Sequence, residues 1–188
     1  MTMAFTDPPR MFPQNRGLDT ETGEPKYARI EFERRWLVER AACPPLEGAW
    51  MTLIADRYID GTRLRLRQMR RPDLGETKWK LTKKYECEDP SARPIVSSYL
   101  TECEYAVVSA LAARVLTKRR YHLPIDGRWW SLDVFEGALD GLVLVEVEEA
   151  DAAALAALVP PVWATKEVTH DPRYQCGSLA QSNTIPEA

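Results

Sequence analysis

Residues 28–40 read ARIEFERRWLVER. Glu31, Glu33 and Arg35 stand two apart, with Ile30, Phe32 and, past the interruption at Arg34, Trp36 in the other phase. Alternation of this length predicts a strand with two unlike faces. The apolar phase suits a core. The charged phase faces either water or the inside of something, and the rest of the chain bears on which.

Turn signals cut the following sequence into further strands. Leu53–Ile59 ends at Asp60-Gly61, a hairpin signal. Arg63–Arg70, Thr77–Tyr85 and Pro94–Leu100 follow. Thr101-Glu102-Cys103-Glu104 has the form of a capping box, predicting a helix to about Ala113. Val115–Leu123 and Trp129–Phe135 flank the Asp126-Gly127 turn, and Leu142–Glu149 comes next. Asp151 caps a short Ala/Leu helix that stops before Pro160-Pro161; one short strand and one short helix are expected beyond it. About eight strands joined by tight turns imply antiparallel pairing, and such a set can close into a barrel. The expected class is α+β dominated by β, with a few flanking helices.

Residues 1–26, rich in Pro, Thr, Asn and Asp, lack periodicity and read as a flexible tail. The domain is expected over 27–181, with a short C-terminal tail over 182–188.

A hydrophobic fraction of 45% with 28% charged residues belongs to a soluble globular chain. No apolar run is long enough for a membrane helix, so the cytoplasm is the expected location. Cys43, Cys87, Cys103 and Cys176 form no CxxC pair, which argues against zinc or a disulfide framework. With His122 and His170 as the only histidines, any metal would be a hard cation held by oxygen. The net charge is −3, yet Arg57–Lys84 is strongly basic. That contrast suggests a local anion site. It gives little support for nucleic acid, which usually shows in the charge of a whole domain.

The charged phases segregate by sign. Glu31 and Glu33 lie on the first strand, Glu146 and Glu148 on the last, Arg63, Arg65 and Arg67 on the third. Lys78, Lys80 and Thr82 follow on the fourth, Lys118 and Arg120 on the sixth, Ser131 and Asp133 on the seventh. For any one strand, solvation of the charged face is the simpler reading. For the set it is less comfortable, because like charges on neighbouring strands repel and a merely soluble surface intersperses its signs. Turned inward, the strands would line a barrel with a carboxylate wall and a cationic wall. Such an interior needs a multivalent anion and a hard cation, and a polyphosphate with Mg²⁺ or Mn²⁺ meets both needs.

IEFERR resembles the ExExK signature that opens the CYTH domain, or triphosphate tunnel metalloenzyme, family. The resemblance continues through GTRLRLR, TKWKLTKK, KRRY, SLDVFEGALDGLVLVEVEEAD and KEVTHDPRY, from about Tyr27 to Gln181. It implies an eight-stranded antiparallel barrel open as a tunnel, in which a triphosphate is hydrolysed with a divalent metal. Carried onto this chain, it gives Glu31, Glu33, Asp133, Glu146 and Glu148 as metal-side positions. Arg35, Arg63, Arg65, Lys80, Lys118 and Arg120 become phosphate-side positions, with Lys78 added because it shares the strand phase of Lys80. Catalysis would rest on Glu31, Glu33, Arg35, Glu146 and Glu148.

This sequence departs from the pattern at Arg35, where the family usually has Lys, and in PIVSSYL, which lacks charge and predicts a more neutral stretch of tunnel. Inorganic triphosphate is the expected substrate, since no pocket for an organic group is evident. A thiamine or nucleoside triphosphatase, a cyclase forming cyclic AMP, and a non-catalytic polyphosphate- or nucleotide-binding module are the alternatives. A homodimer is compatible with the sequence.

Overall fold

The computed structural model describes residue 25 and residues 27–187. The predicted N-terminal tail, Pro25 apart, lies outside them. Among the described residues nine strands form: β1 (Arg29–Val38), β2 (Trp50–Ile59), β3 (Leu64–Arg71), β4 (Glu76–Lys84), β5 (Ala92–Leu100), β6 (Ala113–Ile125), β7 (Arg128–Phe135), β8 (Val143–Glu149) and β9 (Ala164–Glu167). Three helices accompany them: α1 (Glu102–Ser109), α2 (Ala152–Ala156) and α3 (Cys176–Ser182). The pairing order is β5-β4-β3-β2-β6-β7-β8-β1, and β1 closes the ring onto β5. The eight-stranded antiparallel barrel expected from the turns is therefore present.

The ninth strand shares an edge of β1 with β5. Residues Arg29–Phe32 pair with β5, and Trp36–Val38 pair with β9. Between these stretches the backbone of Arg35 is satisfied from the loop after β9: Thr169 Oγ1 accepts its N–H at 2.9 Å, and Val168 N–H donates to its carbonyl at 2.8 Å.

Local signals explain the element ends. Asp126 (φ 49°) and Gly127 (φ 73°) both take positive φ, as a type I′ hairpin requires, so β6 folds directly onto β7. The capping box at α1 forms, with Glu104 N–H on Thr101 Oγ1 at 3.3 Å and Thr101 N–H on Glu104 Oε2 at 2.7 Å. The helix stops at Ser109, short of the predicted Ala113, because the β2–β6 ladder extends to the Ile59–Ala113 pair and takes that residue. Arg57 of β2 donates to the carbonyls of Ser109 (2.9 Å) and Leu111 (3.3 Å), which cover the helix end.

Two apolar clusters hold the barrel. One lies on its outer face, where Trp36, Trp130, Leu132, Val145 and Val147 pack with Leu155 of α2 and with Leu158. Each fully buried large side chain there contributes about 1.5–3 kcal/mol. The other fills one end of the interior. Leu116, Phe135 and Leu144 share strand phases with Lys118, Asp133 and Glu146, and they pack against Tyr174 and Leu179, with α3 as a stopper. The tunnel expected to be open is thus plugged at that end. Among the described residues, no helix is long and apolar enough to cross a membrane.

Candidate active site

The charged phase of β1 points inward. Glu31 and Arg35 are buried, while Trp36 and Val38 belong to the outer core. A cavity of about 740 Å³ lies inside the barrel, lined by Glu31, Glu33, Arg35, Glu146 and Glu148 on one side. Arg63, Arg65, Arg67, Lys80, Lys84, Lys118 and Arg120 line it elsewhere. An adjoining opening of about 360 Å³ shares Glu33, Arg120, Glu146 and Glu148 and reaches Trp129.

Register assembles the acidic side. On the β1–β8 ladder Glu33 faces Glu148 and Arg35 faces Glu146. Ligand oxygens of Glu31, Glu33 and Glu148 come within 4.8 Å of one another. Such an all-oxygen set suits a hard divalent cation. Lys84 Nζ binds Glu31 Oε2, and Arg35 Nη2 donates to Glu33 Oε1 at 2.6 Å, so each carboxylate keeps a second oxygen. Burial raises the carboxyl pKa of Glu31, but attraction to Lys84 and Arg65 outweighs it and the net shift is downward. Glu33 goes the other way: burial and the nearby Glu146 hold it above its ordinary value despite Arg35.

Two of the predicted metal-side residues are occupied by cations. Glu146 accepts Arg35 Nε at 2.8 Å on one oxygen and Arg120 Nη2 on the other. Burial alone would raise its pKa; Arg35, Arg120 and Lys118 hold it well below the carboxylate range. Asp133 is fully buried and lies behind the cavity wall. It takes Arg120 on both oxygens at 2.6 Å and also pairs with Lys118. These carboxylates thus contact Arg35, Arg120 and Lys118 on the cationic wall.

On that wall, Arg65 Nε is buried with no hydrogen-bond partner. Lys80 has no ion-pair partner among the described residues, and burial with repulsion from Arg65 and Arg67 pushes its pKa down to about 8. A buried donor without a hydrogen-bond partner, beside a half-buried lysine among like charges, is what an anion would relieve. Arg63 sits at the exposed rim, paired with Glu86. Lys78 shares the strand phase of Lys80 but lies outside the lining, exposed, 3.4 Å from Glu76.

Several lining residues escaped sequence reading. Lys84 continues the period of two through Lys80 and Thr82. Arg67 was legible in the strand phase without being assigned a role. Arg93 lines the cavity because β5 begins at Ala92, two residues before the predicted Pro94. It stands opposite Glu31 and charges the mouth of a strand expected to be neutral. Further along β5 the expectation holds, with Ser97 and Thr82 sharing a 2.9 Å hydrogen bond. Gln175, Cys176, Ser178 and Gln181 reach the cavity from the α3 region, where no charge pattern pointed to them.

The interior thus sets a carboxylate cluster against a cationic wall in which Arg65 Nε has no hydrogen-bond partner, a charge division that suits a hard cation and a polyanion. No protein-family model matches the sequence. The chain is 36% identical over 160 residues to an inorganic triphosphatase of Nitrosomonas europaea, covering 81% of this chain and 97% of that protein. It is 38% identical over 68 residues to an inorganic triphosphatase of Acetivibrio thermocellus, covering 36% of this chain and 42% of the other. A crystal structure of an inorganic triphosphatase superposes with a TM-score of 0.55 at 29% identity, over 84% of this chain and 97% of that one. A solved structure from Hippeastrum shares the fold alone, at 11% identity and a TM-score of 0.54 over 83% of this chain and 97% of its own. The chain belongs to the CYTH-type triphosphate tunnel family, on the side of its inorganic triphosphatases.

Proposed function

We propose that this chain hydrolyses inorganic triphosphate with a divalent metal, releasing phosphate and pyrophosphate. The observation that carries the reading is the three-carboxylate cluster of Glu31, Glu33 and Glu148 in one cavity with Lys80 and with Arg65, whose buried Nε has no hydrogen-bond partner. The activity of the Nitrosomonas europaea relative supports the same reaction.

Arg65, Arg67, Lys80, Lys118 and Arg120 bind the phosphate oxygens and hold the chain extended along the cavity. Arg35 and Glu146 brace that arrangement from beneath. Glu31, Glu33 and Glu148 would hold Mg²⁺ or Mn²⁺, which would supply positive charge against the charge developing at the transferred phosphoryl group. The stopper formed by α3 excludes water from one end, so the attacking water enters from the other. Little covalent chemistry falls to the side chains; positioning and a fixed field do most of the work.

The test is phosphate and pyrophosphate release from inorganic, thiamine and nucleoside triphosphates, with Mg²⁺ or Mn²⁺, together with an assay for cyclic AMP. One phosphate and one pyrophosphate per inorganic triphosphate is the expected result. Cyclic AMP as the main product, or binding without turnover under either metal, would reject the hydrolase reading.

A further inference from the structure

Asp56 is a fully buried carboxylate inside the cationic wall. It sits on β2, directly across from Arg67 on β3 and Leu116 on β6. Arg67 Nε donates to Asp56 Oδ1 at 2.6 Å and Arg67 Nη2 to Oδ2 at 2.7 Å, a two-pronged pair. Arg65 Nε, the buried donor without a hydrogen-bond partner, lies 3.8 Å from Asp56 Oδ1. Both arginines line the cavity and Asp56 does not. The carboxylate is thus shut off from metal and substrate and touches the site only through guanidinium groups.

A buried ion pair is a poor device for stability, since packed apolar residues of similar volume are often as good or better. The arrangement makes more sense as orientation. A guanidinium bound on two donors is fixed in plane and direction, and its remaining N–H groups are aimed elsewhere. Here that fixes Arg67, and one carboxylate also supplies counter-charge to two neighbouring arginines.

We infer that Asp56 is a positioning residue for the phosphate-binding wall: it orients Arg67 and holds Arg65 in reserve, acting on substrate only through them. This rests on the triphosphatase reading given above. One consequence concerns product. Without the internal counter-charge the wall is more positive and less ordered, so it retains pyrophosphate more tightly while aligning triphosphate less well.

A double-mutant cycle tests this on the full chain with Mg²⁺. The variants are Asp56→Asn, Arg67→Gln and the pair together. The readouts are kcat and KM for inorganic triphosphate, and calorimetric affinity for pyrophosphate. Asp56→Asn is expected to lower kcat by about tenfold or more while pyrophosphate binds several-fold more tightly. Added to Arg67→Gln, it is expected to change kcat by less than about twofold, because the partner through which it acts is already gone.

Two results would overturn the inference. One is multiplication of the two kcat effects. The other is Asp56→Asn with parental kcat and pyrophosphate affinity but a lower melting temperature, which is a purely structural role. If Asp56→Asn alone does not fold, the pair, where amides replace both ions, is compared with Arg67→Gln and decides the same question. If the parent itself fails to hydrolyse triphosphate, the triphosphatase reading falls separately. The pyrophosphate affinities then decide: coupled effects uphold the positioning role and independent effects remove it.

Discussion

Arg35 and Glu146 face each other across the β1–β8 ladder, both buried, with Arg35 Nε donating to Glu146 Oε1 at 2.8 Å. The same guanidinium reaches Glu33 at 2.6 Å and the Tyr174 carbonyl at 3.0 Å. Arg35 thereby ties the carboxylate wall to the segment leading into the α3 stopper. Its fork makes contacts in three directions that a lysine at this position could not all reproduce.

Removing one partner of that pair leaves buried charge uncompensated. Glu146→Gln is therefore expected to cost about 3–5 kcal/mol of stability, because both Arg35 and Arg120 lose a carboxylate. Glu148, exposed and without an ion-pair partner among the described residues, should behave differently. Glu148→Gln is expected to change stability by less than about 0.5 kcal/mol and still to lose most triphosphate turnover. Denaturant melts alongside steady-state rates check both. Equal stability losses in the two variants would contradict the proposed division between bracing and metal-holding carboxylates.

Chelation follows from the same division. EDTA is expected to abolish hydrolysis while leaving the fold intact, since the barrel closes through β1 and β5 and its packed clusters contain no metal ligand. Circular dichroism before and after chelation, with activity restored by Mg²⁺ or Mn²⁺, is the measurement. Unfolding on chelation would make the cation a structural element.

The pH dependence turns on Lys80. Its folded-state pKa is about 8, against an ordinary value of 10.5. Below pH 8 it is charged in both the folded and unfolded chain, and the unfavourable site is fully felt. Between pH 8 and 10.5 the unfolded chain holds a proton that the folded one has released, so this group's contribution to stability improves as pH rises. Lys80→Met is therefore expected to raise the melting temperature at pH 7, with the gain shrinking towards pH 10.5. A bound polyanion favours the charged form, so triphosphate binding near pH 8.5 is expected to take up protons. Calorimetry in buffers of different ionisation heat measures that uptake, and a zero value would detach Lys80 from the phosphate.

Much of this site was legible in the sequence because strands alternate. Once Glu31, Glu33 and Arg35 are in one phase and Trp36 in the other, the burial of either phase fixes both. Lys84 lies within reach of the same rule, two residues beyond Thr82, but the adjacent Lys83 puts charge in both phases and blurs the alternation there. Asp56 was hidden because it lies in a phase otherwise made of Thr52, Ile54 and Tyr58, where one acid reads as an exception. The fate of Glu146 and Asp133 could not be read from one strand. Whether a carboxylate holds metal or arginine depends on which strand the ladder sets opposite. The stopper was hidden for a similar reason: α3 is short, carries no charge, and meets Leu116, Phe135 and Leu144 only after the barrel has closed.

The last expectation separates Lys78 from Arg65, which strand phase alone treats alike. A ligand that binds only the folded chain stabilises it by about 2.7 kcal/mol at a hundredfold excess over Kd. For a chain of this size that is roughly a 5–10 °C rise in melting temperature. Inorganic triphosphate should produce such a rise, and sulfate at matched ionic strength a smaller one. Arg65→Gln removes the buried Nε donor that has no hydrogen-bond partner, so the triphosphate shift should fall by more than half. Arg63→Gln, at the exposed rim, should weaken the shift less. Lys78→Gln should leave the shift intact, because that side chain is outside the cavity beside Glu76. A differential scan of the three variants with and without triphosphate measures all of this. Loss of the shift in Lys78→Gln, or its survival in Arg65→Gln, would put the phosphate at a different height in the barrel.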